Sequence, residues 1–328
     1  MEHIPKPFLS KNNPLNITLD QGEKFSFKYF MPVYWFTWLL IFFSLILSYS
    51  PHVFRMFLGS IVGKLIYHFN VKRRRITKKN LSLCFKNKSD QDLNNLCKAY
   101  FTNLGKAFID LPLLWWRSNA SLQNKCKIVN SHYIDSELSK NKGVILLTAH
   151  TVSLDFGGRS LSKYPIISMY KPFRNELVNW FIGKSRSKVT DNVAVLPRDN
   201  FSFKKVIKAL KSQVIFYYVA DEDLGKENSV FEKFFDEPKS TLISISKIAS
   251  LSNASVLPCI NHYCSITKQY VTYIDRPIEN LSPNDMQHNA KLINRSLEKN
   301  IERDLDQYMW SLRLFQTRPD DLQYPYGE

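Results

Sequence analysis

The residues of this chain that could do chemistry sit where apolar runs stop. In Gly143–Ser160, GVILLTAHTVSLDFGGRS, an almost unbroken apolar run ends at His150, and Asp155 follows five residues later. A histidine just past a buried strand lies at the carboxyl edge of a sheet, where open α/β sheets bind their ligands. Five residues of regular helix rotate the chain by roughly 140° net, so the two side chains cannot share one helix face. With His150 in the strand-to-helix turn and Asp155 in the first helical turn, the carboxylate can bend back towards the ring. A carboxylate on one ring nitrogen fixes the tautomer and leaves the other nitrogen free to take a proton. That arrangement suits a general base acting on an alcohol, the alternative being a structural histidine with a nearby acid.

A second acidic group follows another apolar run. Asp221, Glu222 and Asp223 come directly after Val214–Val219 and before Gly225. Such a cluster could bind a divalent metal or accept hydrogen bonds, although few further oxygen ligands are in view for a metal.

The elements that must position these groups alternate in type. Apolar runs predict strands at Val144–Thr148, Pro165–Met169, Val193–Leu196, Val214–Val219, Ser255–Ile260 and Tyr270–Ile274. Helical spacing predicts helices at Leu154–Ser162, Glu176–Ser187, Phe203–Leu210, Leu242–Leu251 and Ala290–Asp304, after an earlier helix over about residues 92–116. Strands alternating with helices predict an α/β fold, a central mostly parallel sheet flanked by helices. No repeat or linker divides the chain after residue 70, so one catalytic domain is expected over 51–319, with a polar extension at 1–28 and a C-terminal tail at 320–328.

Residues 29–50 have a different character. Met31–Ser50, MPVYWFTWLLIFFSLILSYS, has no charged residue and approaches the ~20 residues that cross a bilayer. Tyr34, Trp35, Trp38 and Tyr49 lie near its ends, as interfacial anchors do. It predicts a transmembrane or membrane-anchor helix, with a buried core helix as the alternative. Over residues 51–79 an amphipathic pattern (Phe54, Phe57, Leu58, Ile61, Val62, Leu65, Ile66, Phe69) leads into the basic collar VKRRRITKK. That order fits an apolar helix beside anionic headgroups, and the positive-inside rule places the domain beyond it in the cytoplasm. The net charge of +16 calls for polyanionic partners, and with no nucleic-acid reader motif those are membrane lipids and acidic proteins. Five cysteines without CxxC spacing read as reduced thiols, neither staples nor metal ligands.

AHTVSLDFGGRS resembles the H-x-x-x-x-D/E signature of glycerophospholipid-type acyltransferases, in the form found in the late acyltransferases of lipid A biosynthesis. The resemblance runs in order along nearly the whole chain. YWFTWLLIF and KRRRITKKNLSLCF are similar to that family's anchor and basic segment, and MYKPFRNELVNWFIGKSRSK to its Y-R-P block. VADEDLGKENSVFEKFF is similar to its P-D-x-D-x-G and V-F-x-x-F-F segments, and QYMWSLRLFQTRP to its terminal block. Three positions depart from the pattern: Lys171 stands for an arginine, Ala220 for a proline and Leu312 for a histidine.

The resemblance implies a glycerolipid-acyltransferase-like fold at the inner membrane of a bacterium. It implies an O-acyltransferase moving a fatty acyl chain from acyl carrier protein to a hydroxyacyl hydroxyl of a phosphorylated lipid A precursor of the Kdo-lipid IVA type. His150 would be the general base and Asp155 its orienting acid, with no cofactor and no metal. Asp221 and Asp223 would then meet acceptor hydroxyls or neighbouring cations. Arg159, Lys171, Arg174 and Arg186, with Lys184 and Arg198, would contact the phosphates or the acidic carrier. An acyltransferase for another glycolipid or a lysophospholipid using acyl-CoA, and a non-catalytic protein that binds anionic lipid, are the competing expectations.

Overall fold

A computed structural model of the chain describes residues 25–187, 193–198 and 200–327. Helices come first: α1 (Trp35–Tyr49), α2 (His52–Phe69), α3 (Val71–Cys84), α4 (Asp90–Asp110) and the short α5 (Pro112–Trp116) and α6 (Asn119–Gln123). Alternation follows: β1 (Cys126–Val129), α7 (His132–Ser139), β2 (Val144–Thr148), α8 (Leu154–Ser160), β3 (Ile166–Tyr170), α9 (Glu176–Ser187), β4 (Val193–Pro197), α10 (Asn200–Leu210) and β5 (Ile215–Val219). The chain ends with the hairpin β6 (Ser229–Phe234) and β7 (Glu237–Leu242), then α11 (Ser244–Ser252), β8 (Ser255–Cys264), β9 (Gln269–Ile274) and α12 (Met286–Ile301).

The main sheet has the order β1-β9-β8-β2-β5-β3-β4. Every neighbouring pair is parallel except β8 and β9. β2 lies centrally, and all five of its residues are buried. Its side chains alternate between two cores, as the period of two requires. Ile145 and Leu147 enter the larger cluster with Phe216 and Tyr218 of β5. Val144 and Leu146 face the other way, with Ile215 and Tyr217. Helices cover both faces, and the mostly parallel α/β architecture expected from the alternation is the one observed.

Differences from the expected elements have local causes. β1 is only four residues long and partly exposed, too short to show an apolar period. The V-F-x-x-F-F segment forms β6, and β7 carries Lys239, Ser240 and Thr241 buried, so no apolar alternation marks the hairpin. The basic run is itself helical: Asn70 caps α3 by accepting from the Arg73 amide at 3.1 Å, and that break separates it from α2.

α2 packs on α4 backbone to backbone. A Cβ on Gly105 would lie 2.3 Å from the Gly59 carbonyl oxygen and from the Gly63 nitrogen. Beside this contact Arg55 Nε donates to Asp110 Oδ1 at 2.6 Å, and the Tyr270 hydroxyl donates to Asp110 Oδ2 at 2.9 Å. One buried ion pair thus ties α2, α4 and β9 together. All five cysteines are free thiols.

Candidate active site

The site follows from strand register. β2 and β5 are parallel, with Thr148 opposite Val219, and the Ala220 amide continues the ladder to the Thr148 carbonyl at 2.9 Å. Two residues past each strand end, His150 and Asp221 are therefore neighbours at the carboxyl edge of the sheet. Asp221 is fully buried and holds His150 twice. Its Oδ2 accepts the His150 amide at 2.9 Å, and its Oδ1 lies 2.6 Å from Nδ1. An ionised carboxylate only accepts, so Nδ1 carries the hydrogen and Nε2 is the nitrogen available to take a proton. Nε2 looks towards Glu222, whose Oε1 is 4.0 Å away and whose Oε2 accepts from Arg198 at 2.7 Å. The imidazole side chain stays 22% exposed.

Burial by itself would depress the imidazole. The Asp221 charge, the hydrogen bond to it and Glu222 outweigh that, and hold His150 above its ordinary value of 6.5, against a small opposing effect of Arg198. Burial would likewise raise the Asp221 carboxyl, but the His150 charge and both His150 hydrogen bonds hold it below 3.8. Each charge therefore favours the other: the carboxylate raises the basicity of the ring, and the ring keeps the buried carboxyl ionised.

The C-terminal block locks this turn. Thr151 and Tyr308 form an antiparallel bridge; the Val152 amide donates to the Gln307 carbonyl and the Met309 amide to the His150 carbonyl, both at 2.9 Å. Gln307 is clamped in turn on the Tyr263 main chain, accepting from its amide at 2.7 Å and donating to its carbonyl at 2.9 Å. The Tyr308 hydroxyl is buried close to Asp221 without a hydrogen bond of normal geometry. Asn80 of α3 donates to the carbonyls of Trp310 and Leu312, each at 2.7 Å, which makes Leu312 a backbone contributor.

The other candidates fall into four groups. Asp155 stands exposed in the first turn of α8, while Asp221 occupies Nδ1, the place the H-x-x-x-x-D spacing offered to Asp155. Arg159 donates to the Leu114 carbonyl and to Asn119, fastening α8 to α5 and α6, and Asp223 accepts from the Gly225 and Thr317 amides, shaping its own loop. Lys171 and Arg174 are exposed in the loop after β3, at the same sheet edge as His150. Lys184 is exposed on α9; Arg186 lies on that helix, and its side chain is outside the described residues. Among the described residues no three His, Cys, Asp or Glu side chains converge as a metal site would require.

The residues missed by sequence reasoning are Gln307, Tyr308 and the pairing of Asp221 with His150. One signal for the pairing was present: T-A-H and V-A-D both end apolar strands with the same offset.

The model of the family described as bacterial lipid A biosynthesis acyltransferase matches residues 23–317. A lipid A biosynthesis acyltransferase of Haemophilus influenzae is 32% identical over 312 residues, covering 94% of this chain and 96% of that protein. The lipid A biosynthesis palmitoleoyltransferase of Escherichia coli is 28% identical over 298 residues, 90% of this chain and 96% of its own. The lauroyltransferase of the same organism is 28% identical over 305 residues, 92% of this chain and 98% of its own.

Proposed function

Because the chain belongs to the family of bacterial lipid A biosynthesis acyltransferases, we propose that it transfers a fatty acyl chain from acyl carrier protein to a hydroxyacyl hydroxyl of a Kdo-lipid IVA-type precursor. His150 Nε2 takes the proton of the acceptor hydroxyl while that oxygen attacks the thioester carbonyl. The tetrahedral oxyanion then collapses, the ester forms, the carbon–sulfur bond breaks, and the departing thiolate recovers the proton from Nε2. Asp221 keeps Nδ1 protonated and neutralises the imidazolium formed in between. Asp155, on the neighbouring helical turn, is proposed as a second carboxylate supporting that charge. Lys171 and Arg174 meet the acceptor phosphates, and exposed cations receive the acidic carrier.

The observation that carries this reading is His150 at the carboxyl edge of the sheet, partly exposed, with Nδ1 held by a buried carboxylate, so that Nε2 is the nitrogen left to act. It supports a base acting on an alcohol, and it needs no serine or cysteine nucleophile. The test is turnover of the purified full-length protein with acyl carrier protein thioester and with acyl-CoA, each against a tetra-acylated, phosphorylated acceptor. Preference for the carrier thioester together with silence of His150→Ala is the expected result. Equal use of acyl-CoA favours the other glycerolipid reading, and wild-type turnover by folded His150→Ala removes the mechanism.

A further inference from the structure

Residues 32–49 are apolar enough, and as a helix long enough, to be a candidate membrane span. The packing of that segment decides how it can meet a bilayer. One face of α1 is buried against the protein from its first turn to its last: Thr37, Ile41, Ser44, Leu47 and Ser48. Polar bonds fasten the same face. Asn175, in the loop before α9, donates to Thr37 Oγ1 at 3.0 Å, and Trp116 Nε1 of α5 donates to Ser44 Oγ at 2.9 Å. Ile41 shares a core with Tyr29 and with Leu177, Trp180 and Phe181 of α9. α1 itself is about 22 Å long, and the turn Pro32–Tyr34 before it brings the segment close to the ~30 Å hydrocarbon core, so packing and not length decides. Had α1 crossed along its axis, it would carry α9, packed on Ile41, towards hydrocarbon with the charged Lys184, which is unfavourable.

The opposite face is apolar and bare. Phe36, Leu39, Phe42, Phe43 and Ile46 of α1 are exposed. After the short Ser50–Pro51 connection, α2 likewise leaves apolar side chains bare: Val53, Phe54, Phe57, Ile61 and Leu65 are exposed, while Arg55, Gly59 and Gly63 face inward. Where α2 ends, exposed Lys72, Lys78 and Lys79 of α3 begin. An apolar surface of this extent bordered by cations matches one leaflet of an anionic bilayer: acyl chains against the two helices, headgroups against the basic border.

We propose that α1 and α2 together form a platform seated in a single leaflet, and that the chain enters the membrane and leaves it on the same side. The loop carrying Lys171 and Arg174 is fastened to the first turn of α1 through Asn175 and through Glu176, which pairs with Lys28 and accepts from the Tyr34 hydroxyl at 3.3 Å. That loop is therefore set at headgroup level, where a lipid phosphate would meet it.

The experiment uses the full-length chain with one epitope tag at each terminus, in sealed inside-out and right-side-out inner-membrane vesicles treated with an impermeant protease. Both tags digested in inside-out vesicles and both protected in the other orientation is the expected result. One tag digested in each orientation establishes a crossing and overturns the proposal. A second measurement reads the shared platform as binding to vesicles of phosphatidylethanolamine and phosphatidylglycerol. Leu39→Ser/Phe43→Ser on α1 and Phe57→Ser/Ile61→Ser on α2 should each bind at least about tenfold more weakly than wild type. Undiminished binding by the α2 variant overturns the two-helix platform. Neither readout involves turnover, so both stand apart from the proposed reaction.

Discussion

β2 and α2 obey opposite rules of burial. Every residue of β2 is buried and apolar but for Thr148, and polar chemistry begins where the strand stops, at His150. α2 turns Phe54, Phe57, Ile61, Leu65 and Phe69 outward and buries an arginine and two glycines. The strand meets two protein cores; the helix meets protein along its glycine face and leaves apolar side chains exposed on the other. An apolar period therefore identifies a face, and only the packing says which solvent that face is built for.

The largest expected effect breaks the strand side of this comparison. His150→Ala, which removes the proposed base, should lower kcat/KM by ~10²–10⁴. Because it leaves the buried Asp221 carboxylate without its ring partner, it should also lower the melting temperature while the protein still folds. Asp221→Asn should sharpen the assignment through pH. In the wild type the base form of His150 accumulates as pH rises through a value held above 6.5, so activity should climb along that limb. Removing the Asp221 charge removes the main cause of the elevation, leaving Glu222 to raise the ring and burial and Arg198 to lower it. The limb should then move to lower pH and the maximal rate should fall. Asp155→Asn in the same assay separates the two carboxylates: a fallen rate with the limb in place marks Asp155 as supporting charge, and an unmoved limb in Asp221→Asn disproves the Nδ1 role of Asp221.

The next effect tests the helix side. Asp110→Ala leaves Arg55 buried without its partner and strips the acceptor from Tyr270, so unfolding in detergent should become easier by about 3–5 kcal/mol. Ile145→Ala in β2 should cost about 2–5 kcal/mol through the cavity it opens. Gly105→Ala forces backbones apart where α4 crosses α2, at about 1–3 kcal/mol. If Asp110→Ala melts like the wild type, the buried pair is not what fastens α2.

Legibility tracked the same divide. Val144–Thr148 and Glu176–Ser187 could be bounded to the residue from sequence, because a buried strand and an amphipathic helix each show their period. The hairpin of β6 and β7 was hidden, since its buried positions include Lys239, Ser240 and Thr241. At the site, His150 was legible as a histidine closing an apolar run. Its hold on Asp221 depends on β2 pairing β5 with Thr148 opposite Val219, a contact between residues 71 apart in sequence that no local pattern encodes. Arg159 looked like an anion contact by type and place; its engagement with Leu114 and Asn119 is likewise non-local.

The smallest expected effect is the most discriminating one for the comparison. Ile46 and Ile145 are the same residue in equally apolar surroundings of sequence, yet Ile46 is 52% exposed and Ile145 is fully buried. In detergent micelles Ile46→Ala should change unfolding stability by no more than about 0.5 kcal/mol, because it opens no cavity within the protein. Were α1 instead a core helix whose outer face is covered in the folded chain, Ile46→Ala would cost as much as Ile145→Ala. Denaturant titration of both variants against wild type, at one detergent concentration, measures the difference directly. Equal losses would mean that the outer face of α1 is packed on protein; a near-zero loss at Ile46 beside a large one at Ile145 means that this face meets the surrounding amphiphile, as β2 meets the core.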